Sequence, residues 1–203
     1  MALSVYQLKP RFQRLLRPVV GDLARAGVTA NQVTVAAVVL SGLGGLLILW
    51  WPAVTGLLLV LPVVLFLRMA LNAIDGMLAR EHGQISRLGG ILNELGDLLS
   101  DAALYLPLAL VPGLPGPLLV AVVVLGLCAE VAGILGLTLG GSRRYDGPMG
   151  KSDRALVFGA LALLLALGLG PGVWLHLVLW LVLLLSIQTI VNRVRRALQE
   201  TAA

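Results

Sequence analysis

Long apolar stretches separated by short polar breaks make up most of the chain. Six of them follow one another, at about 33–51, 54–79, 88–111, 118–139, 155–169 and 173–190. Each approaches the ~20 residues that carry a helix across the hydrocarbon core of a membrane. Several of the breaks carry turn chemistry: Pro52, then Pro112-Gly113 with Pro115-Gly116-Pro117, then Gly170-Pro171-Gly172. Ahead of the first stretch the pattern differs. Lys9, Arg11, Arg14, Arg17 and Arg25 alternate with Leu8, Phe12, Leu15, Leu16, Val19, Leu23 and Ala26 at near-helical spacing, interrupted by Pro10 and Pro18. An early uninterrupted apolar run is missing, which argues against a signal peptide. The pattern predicts an amphipathic segment lying on the membrane surface. The predicted fold is therefore an all-α integral membrane protein, a six-transmembrane-helix bundle with an N-terminal interfacial amphipathic helix. Its parts are a juxtamembrane segment at 1–30, a membrane domain at 31–196 and a tail at 197–203.

Composition narrows the class. The 203 residues are 59% hydrophobic and 12% charged, against roughly 25% charged in soluble domains. A water-soluble core-and-shell protein and a disordered chain are both excluded. The single cysteine, Cys128, excludes a disulfide framework and a multi-cysteine metal site, and reads as a small core residue. The net charge of +5 points to membrane orientation and anionic headgroups rather than to nucleic acid. Five basic residues precede the first stretch, and Arg80 with Arg87 lie between the second and third. Arg143, Arg144, Lys151 and Arg154 lie between the fourth and fifth, and Arg193, Arg195 and Arg196 follow the sixth. That bias predicts that both termini, the 80–87 turn and the 140–154 loop are cytoplasmic. Trp50, Trp51 and Trp174 then mark the opposite interface. The 24 glycines suit close helix packing in a bundle.

Polar residues inside apolar helices are costly and read as functional. Here they fall on two faces. Asn72, Asp75, Gly76, Ala79 and Arg80 follow i, i+3, i+4, i+7, i+8 on the second stretch, and Gly89, Asn93, Asp97 and Asp101 follow steps of four on the third. The short turn between them makes the two helices antiparallel neighbours, so their polar faces meet near the cytoplasmic end. Asp and Asn oxygens suit a hard divalent cation, Mg²⁺, Mn²⁺ or Ca²⁺, rather than zinc, and magnesium, like Mn²⁺ the cofactor expected here, usually completes its shell with phosphate oxygens. Gly76 and Ala79 leave room for a ligand, and Arg80 is able to hold a phosphate. A polar cluster that only joins two helices, and an ion-transport site, are the alternatives at this point. Arg68 and Glu130, both about mid-span, read as a buried structural pair. His82 reads as solvated and His176 as interfacial.

The run Asn72-Ala-Ile-Asp75-Gly76-Met-Leu-Ala79-Arg80, eight residues, then Gly89-Gly-Ile-Leu-Asn93-Glu-Leu-Gly-Asp97 resembles the signature of the CDP-alcohol phosphatidyltransferases. That pattern is D-x-x-D-G-x-x-A-R-x8-G-x-x-x-D-x-x-x-D, and its spacing is matched throughout. The resemblance implies a six-span membrane transferase and a homodimer. It implies that Asp75 is a metal ligand and that Asp97 is both metal ligand and general base. Asn31, Thr34, Asp75, Gly76, Ala79, Arg80 and Gly89 become the expected CDP-binding residues. Asn31 and Thr34 belong to an Asn-x-x-Thr opening of the first span similar to that of relatives, and helix capping is the other reading of these residues. Gly150-Lys151-Ser152-Asp153-Arg154 is similar to a Gly-Lys segment of relatives. Lys151, Arg154, Arg143 and Arg144 are its expected acceptor-binding residues, with positive-inside topology as the other reading. Two positions depart from the pattern: the first and third aspartates are Asn72 and Asn93. They offer carbonyl oxygens without charge. Either the site binds one metal ion, or Glu94 or Asp101 supplies the missing charge, and Asp101 is one turn beyond Asp97 on the same face.

The expected activity is transfer of a phosphatidyl group from a CDP-linked lipid, CDP-diacylglycerol by resemblance, to a small alcohol acceptor with release of CMP. A catalytically weakened relative that binds lipid or a partner is the alternative, argued by the two asparagines. A transporter is a third class, opposed by the first and sixth stretches, which have no ionisable residue in their apolar cores.

Overall fold

The computed structural model describes residues 5–201, with side chains from Arg11 onward. The first four residues of the expected surface segment, the last two of the expected tail, and the side chains of Leu8, Lys9 and Pro10 lie outside the described residues. The described residues form seven α-helices: α1 (Val5–Arg25), α2 (Ala30–Trp50), α3 (Val60–Glu81), α4 (Arg87–Tyr105), α5 (Gly116–Thr138), α6 (Lys151–Ala166) and α7 (Val173–Thr201). Short 3-10 segments at Thr55–Leu59 and Leu106–Leu110 precede α3 and follow α4.

Four segments among the described residues are long and apolar enough to cross a membrane: Ala30–Trp50, Thr55–Glu81, Gly116–Thr138 and Val173–Thr201. The protein is an integral membrane protein of all-helical class. The third and fifth expected stretches do not reach that standard, for different reasons. α4 carries Arg87, Glu94, Asp97 and Asp101, and α6 has 16 residues, ~24 Å of helix against a hydrocarbon core of ~30 Å. Numerous large apolar side chains are exposed along the helices, among them Leu43, Val63, Phe66, Leu135, Leu177 and Leu184. In water such a surface would aggregate; in a bilayer it faces acyl chains.

The chain divides into two compact units. The first comprises the described part of Met1–Ser41 together with Val64–Ser100. In it α1 is one helix with Pro18 inside it, not the interrupted pattern that Pro18 suggests. Val20, Ala30, Val33, Ile74, Met77 and Leu78 form its core, with Leu16, Leu23 and Ala24 of α1 packed against it. Arg11, Arg14, Arg17 and Arg25 of α1 are exposed, and Arg17 pairs with Glu81 at the end of α3 at 3.3 Å. Gly96 of α4 is buried, and a Cβ there would lie 2.9 Å from Val38 Cγ2, so the glycine sets how closely α4 approaches α2.

The second unit comprises Gly42–Val63 and the described part of Asp101–Ala203. Its core includes Leu58, Leu61, Leu104, Val122, Leu175 and Leu179, and the buried rings of Tyr105 and Phe158 stack with centroids 4.2 Å apart. Small residues on α5 let other chain segments close in. A Cβ on Gly133 would fall 2.5 Å from the Arg144 carbonyl oxygen, and one on Gly136 2.6 Å from that of Ser142, so the loop before α6 lies directly on the α5 backbone. Cys128 of α5 is exposed, contrary to the core position expected of it. It points away from the face of α5 that carries Gly126, Ala129, Gly133 and Gly136, all buried. α7 continues to Thr201, beyond the expected boundary at 196, because Ala197 still packs into this unit at 4% exposure.

Candidate active site

The first unit contains a cleft of about 300 Å³ built from the N-terminal turns of α2, the C-terminal half of α3, the 82–86 turn and the first turns of α4. The start of α2 is held by a reciprocal capping box. Thr29 Oγ1 accepts the Gln32 N–H at 3.2 Å, and Gln32 Oε1 accepts the Thr29 N–H at 2.8 Å. Capping is therefore done by Thr29 and Gln32, and Asn31 and Thr34 are left to line the cleft. Gln84 ties the turn to the same helix end: its Oε1 accepts the Ala30 N–H at 2.7 Å, and its Nε2 donates to the Val28 carbonyl at 3.4 Å. The turn needs the left-handed backbone of Gly83, φ 67°. Ser86 caps α4 from just ahead of it, with its Oγ accepting the Gly89 N–H at 2.9 Å.

The expected CDP-binding residues line this cleft together: Asn31, Thr34, Asp75, Gly76, Ala79, Arg80 and Gly89, with Asn72 and Asn93 beside them. Two glycines make the room. A Cβ on Gly76 would fall 2.8 Å from Arg80 Nη2, so the Arg80 guanidinium folds back over the α3 backbone at that point. A Cβ on Gly89 would fall 2.8 Å from Asn31 Oδ1 and 3.0 Å from Ser86 Oγ. Asp75 is nearly buried, and its Oδ2 accepts the Thr34 hydroxyl at 2.8 Å.

Asp97 faces α3. Arg68 Nη2 donates to the Asp97 carbonyl oxygen at 3.0 Å and to Oδ1 at 3.3 Å. Asn72 Nδ2 donates to the same Oδ1 at 3.5 Å. The expected Arg68–Glu130 pair is thus replaced by Arg68–Asp97 in this unit, while Glu130 pairs elsewhere. Sequence reasoning missed Arg68, Gln84 and Ser86 as parts of the site's construction. Among them, only Arg68, a lone cation inside an apolar stretch, carried a signal.

Among the described residues no three acidic, histidine or cysteine side chains converge as a metal cage. Asp75, Asn72 and Asn93 line the cleft, and Asp97, which does not line it, lies behind Asn72 within hydrogen-bond reach. An all-oxygen set with one or two carboxylates fits a Mg²⁺-like ion that takes the rest of its shell from phosphate and water.

Other expected site residues belong to the second unit. Asp101 Oδ2 accepts Arg154 Nη2 at 3.0 Å, with side chains only 3% and 2% exposed. Asp101 thus shares its charge with a buried guanidinium. Arg154, buried at the start of α6, also reaches Glu130 at 3.1 Å and the Met149 carbonyl at 3.2 Å. Glu130 gathers Arg143 and Arg193 as well, each at 3.3 Å. Arg143 lies over the Tyr145 ring, 4.4 Å from its centroid. Arg144 holds Asp146 at 2.9 Å and Glu200 at 3.1 Å. Desolvation works against its charge, but the hydrogen bonds and charges of those two carboxylates outweigh it and hold the guanidinium above the usual arginine range. Lys151 is half-buried at the first position of α6. His82 and His176 are exposed.

The CDP-alcohol phosphatidyltransferase family matches residues 27–188, a span that includes the whole cleft. The chain is 46% identical over 200 residues to the inner membrane protein YnbA of Escherichia coli K12, covering 98% of this chain and 99% of that one. It is 30% identical over 203 residues to the phosphatidylinositol phosphate synthase of Mycolicibacterium smegmatis, covering 94% and 87%. The structure of Mycobacterium tuberculosis phosphatidylinositol phosphate synthase with CDP-DAG bound shares the fold, with a TM-score of 0.78 at 23% identity over 91% of this chain and 94% of that one. The same enzyme in complex with manganese and citrate gives 0.75 at 24% identity, covering 89% and 88%. Sequence and fold agree, and the chain belongs to the CDP-alcohol phosphatidyltransferase family.

Proposed function

We propose that this transferase moves a phosphatidyl group from CDP-diacylglycerol to the hydroxyl of a small alcohol and releases CMP. The observation that carries the reading is the cleft itself: Asp75, Asn72, Asn93 and Arg80 brought together beside two glycines that open the helix backbone. Asn31, Thr34, Asp75, Gly76, Ala79, Arg80 and Gly89 bind the CDP moiety. Arg80 offers its guanidinium to phosphate, and Asn31 offers a carboxamide to the nucleotide. A Mg²⁺ or Mn²⁺ ion held by Asp75, Asp97, Asn72 and Asn93 would, when bound, neutralise charge on the pyrophosphate. Asp97 takes the proton from the acceptor hydroxyl. The acceptor oxygen bonds to the phosphorus that carries the diacylglycerol, and the P–O bond to CMP breaks. Arg143, Arg144, Lys151 and Arg154 set a positive field for a phosphorylated polyol acceptor. Around Glu130, Arg143, Arg154 and Arg193 meet the carboxylates of Glu130 and Asp101, and Arg144 faces Asp146 and Glu200.

In the same reading the bundle spans an inner membrane six times, with both termini cytoplasmic and two copies per assembly. α1, within 1–30, lies along the surface: its exposed Leu15 and Val19 reach acyl chains while its arginines meet headgroups. Keeping the acyl chains in the bilayer while the headgroup reacts near its cytoplasmic surface is what such a site requires.

The test is a product assay. Purified protein is mixed with CDP-diacylglycerol, Mg²⁺ and a pool of alcohols including glycerol phosphate, inositol phosphate and serine, and products are identified by mass spectrometry. A new phospholipid with stoichiometric CMP supports the reading. CDP-diacylglycerol bound without CMP release favours instead a lipid-binding relative, for which uncharged Asn72 and Asn93 are the argument.

A further inference from the structure

We propose that a cleft beside the last turns of α7 binds the phosphate of an anionic phospholipid, whose acyl chains lie along the exposed apolar stripe of the same helix. The cleft belongs wholly to the second unit, has a volume of about 370 Å³ and is lined by Asp146, Asn192, Arg195, Arg196 and Gln199. The last four come from one face of α7, at i, i+3, i+4 and i+7.

What these side chains are bonded to decides what the cleft attracts. Arg144 Nε donates to Asp146 Oδ2 at 2.9 Å and Arg144 Nη2 to Oδ1 at 3.2 Å, so both oxygens of the lining acid are taken. The neighbouring Glu200 is engaged too: its Oε2 accepts Arg144 Nη1 at 3.1 Å and the Ser142 N–H and hydroxyl at 3.0 Å each. The guanidinia of Arg195 and Arg196 and the carboxamides of Asn192 and Gln199 have no hydrogen bond or ion pair among the described residues. Two open guanidinia beside two open amide donors suit phosphate oxygens, which a guanidinium meets with paired N–H groups.

The helix itself tells which phosphate. α7 has 29 residues, ~43 Å of helix against a hydrocarbon core of ~30 Å. Its apolar stretch fills that core, so the turns from Asn192 onward reach the headgroup layer. Ser186, Thr189, Arg193 and Ala197 form the buried face of these turns. The cleft residues form a second face, and Leu184, Ile187, Val191, Val194 and Leu198 form an exposed apolar third. A ligand that uses the second and third faces together is anionic at one end and apolar at the other. A free phosphate uses only the second.

The test is native mass spectrometry of the detergent-purified chain titrated with phosphatidylglycerol and, separately, phosphatidylcholine, with calorimetry of inorganic phosphate as a further arm. One phosphatidylglycerol is expected to bind ahead of any others and more tightly than phosphatidylcholine. Arg195→Gln with Arg196→Gln is expected to weaken that first binding roughly 30-fold, two basic contacts to an anionic lipid being lost. Both arginines are exposed, so the melting temperature of this variant should match wild type. Arg11→Gln with Arg14→Gln removes the same charge from exposed positions of α1 and is expected to leave the first binding unchanged. Equal loss in the two double variants means diffuse attraction without a site and overturns the proposal. Equal affinity for the two lipids overturns it as well, and so does phosphatidylglycerol binding that survives the loss of Arg195 and Arg196. Inorganic phosphate bound where phosphatidylglycerol is not removes the lipid as occupant.

Discussion

Thr34 Oγ1 lies 2.8 Å from Asp75 Oδ2, joining the first turns of α2 to the polar face of α3. The same hydroxyl is 3.1 Å from the Ala30 carbonyl oxygen, so its rotamer is set by its own helix while it orients the carboxylate of another. Thr34→Val keeps the shape and removes the hydroxyl. Losing a hydrogen bond to a buried charged group costs about 1–2 kcal/mol, a factor of roughly 5 to 30 in affinity. CMP binding in the presence of Mn²⁺, measured by calorimetry in detergent, is expected to weaken by that factor, and Thr34→Ser to restore it. Unchanged affinity in Thr34→Val would separate Thr34 from the nucleotide site.

The two aspartates are expected to fail in different ways. Asp75 lines the cleft directly, so Asp75→Ala should abolish metal-dependent CMP binding. Asp97 is held by Arg68 and Asn72 and, in the proposed reaction, takes the acceptor proton, so its loss should show in turnover. A positioned general base contributes roughly 10²–10⁴-fold. Asp97→Asn is therefore expected to lower CMP release from CDP-diacylglycerol at least ~100-fold while CMP still binds. Retention of wild-type turnover in Asp97→Asn rules out its role as base.

Much of this site was legible because ionisable and amide residues are expensive inside apolar helices. Asn72, Asp75, Asn93 and Asp97 stand out against their neighbours, and helical spacing alone puts them on two faces. Partner choice was not legible in the same way. Arg68 and Glu130 are both lone charges at mid-stretch, yet which carboxylate meets which guanidinium depends on how each helix is rotated and where its small residues let others approach. Glu130 draws Arg143, Arg154 and Arg193 from 13, 24 and 63 positions away, with Gly126 and Gly133 beside Arg154 and Arg193. The 140–154 loop reads as open basic surface until Asp146 and Glu200 are seen on Arg144. Gln84 reads as an ordinary polar turn residue, because its work is done on Ala30, 54 positions away. Cys128 misleads for a reason peculiar to membranes: an exposed position there can be as apolar as a core.

Glu130 is the point on which the second unit's charges turn. It is 4% exposed and faces Arg143, Arg154 and Arg193 within 3.3 Å. Breaking a buried ion pair by removing one partner costs about 3–5 kcal/mol, because the other charge stays behind. Glu130→Ala removes the carboxylate that three guanidinia share, with Asp101 still on Arg154, and a fall in detergent melting temperature of many degrees is expected. Cys128→Ser on the same helix is the control, since an exposed substitution usually changes stability by no more than ~0.5 kcal/mol. Equal melting temperatures for Glu130→Ala and the wild type would mean that the cluster does not hold this unit together.

Gly45 and Gly42 lie one turn apart on α2 and should respond oppositely to the same methyl group. A Cβ on Gly45 would fall 1.9 Å from the Ala103 carbonyl oxygen and 2.8 Å from its carbonyl carbon. These are backbone atoms of α4, so relief requires one helix to move away from the other. A Cβ on Gly42 meets nothing within 4 Å. Overpacking a tight contact costs about 1–3 kcal/mol and more where backbone must shift, whereas alanine for glycine in an open helical position is favourable by up to ~1 kcal/mol. Gly45→Ala is expected to lower the detergent melting temperature clearly, and Gly42→Ala to leave it unchanged or raise it. Neither glycine lines the cleft, so CMP affinity in the folded Gly42→Ala protein should match wild type. Equal stability of the two variants would show that α2 and α4 are not in the close contact that Gly45 permits.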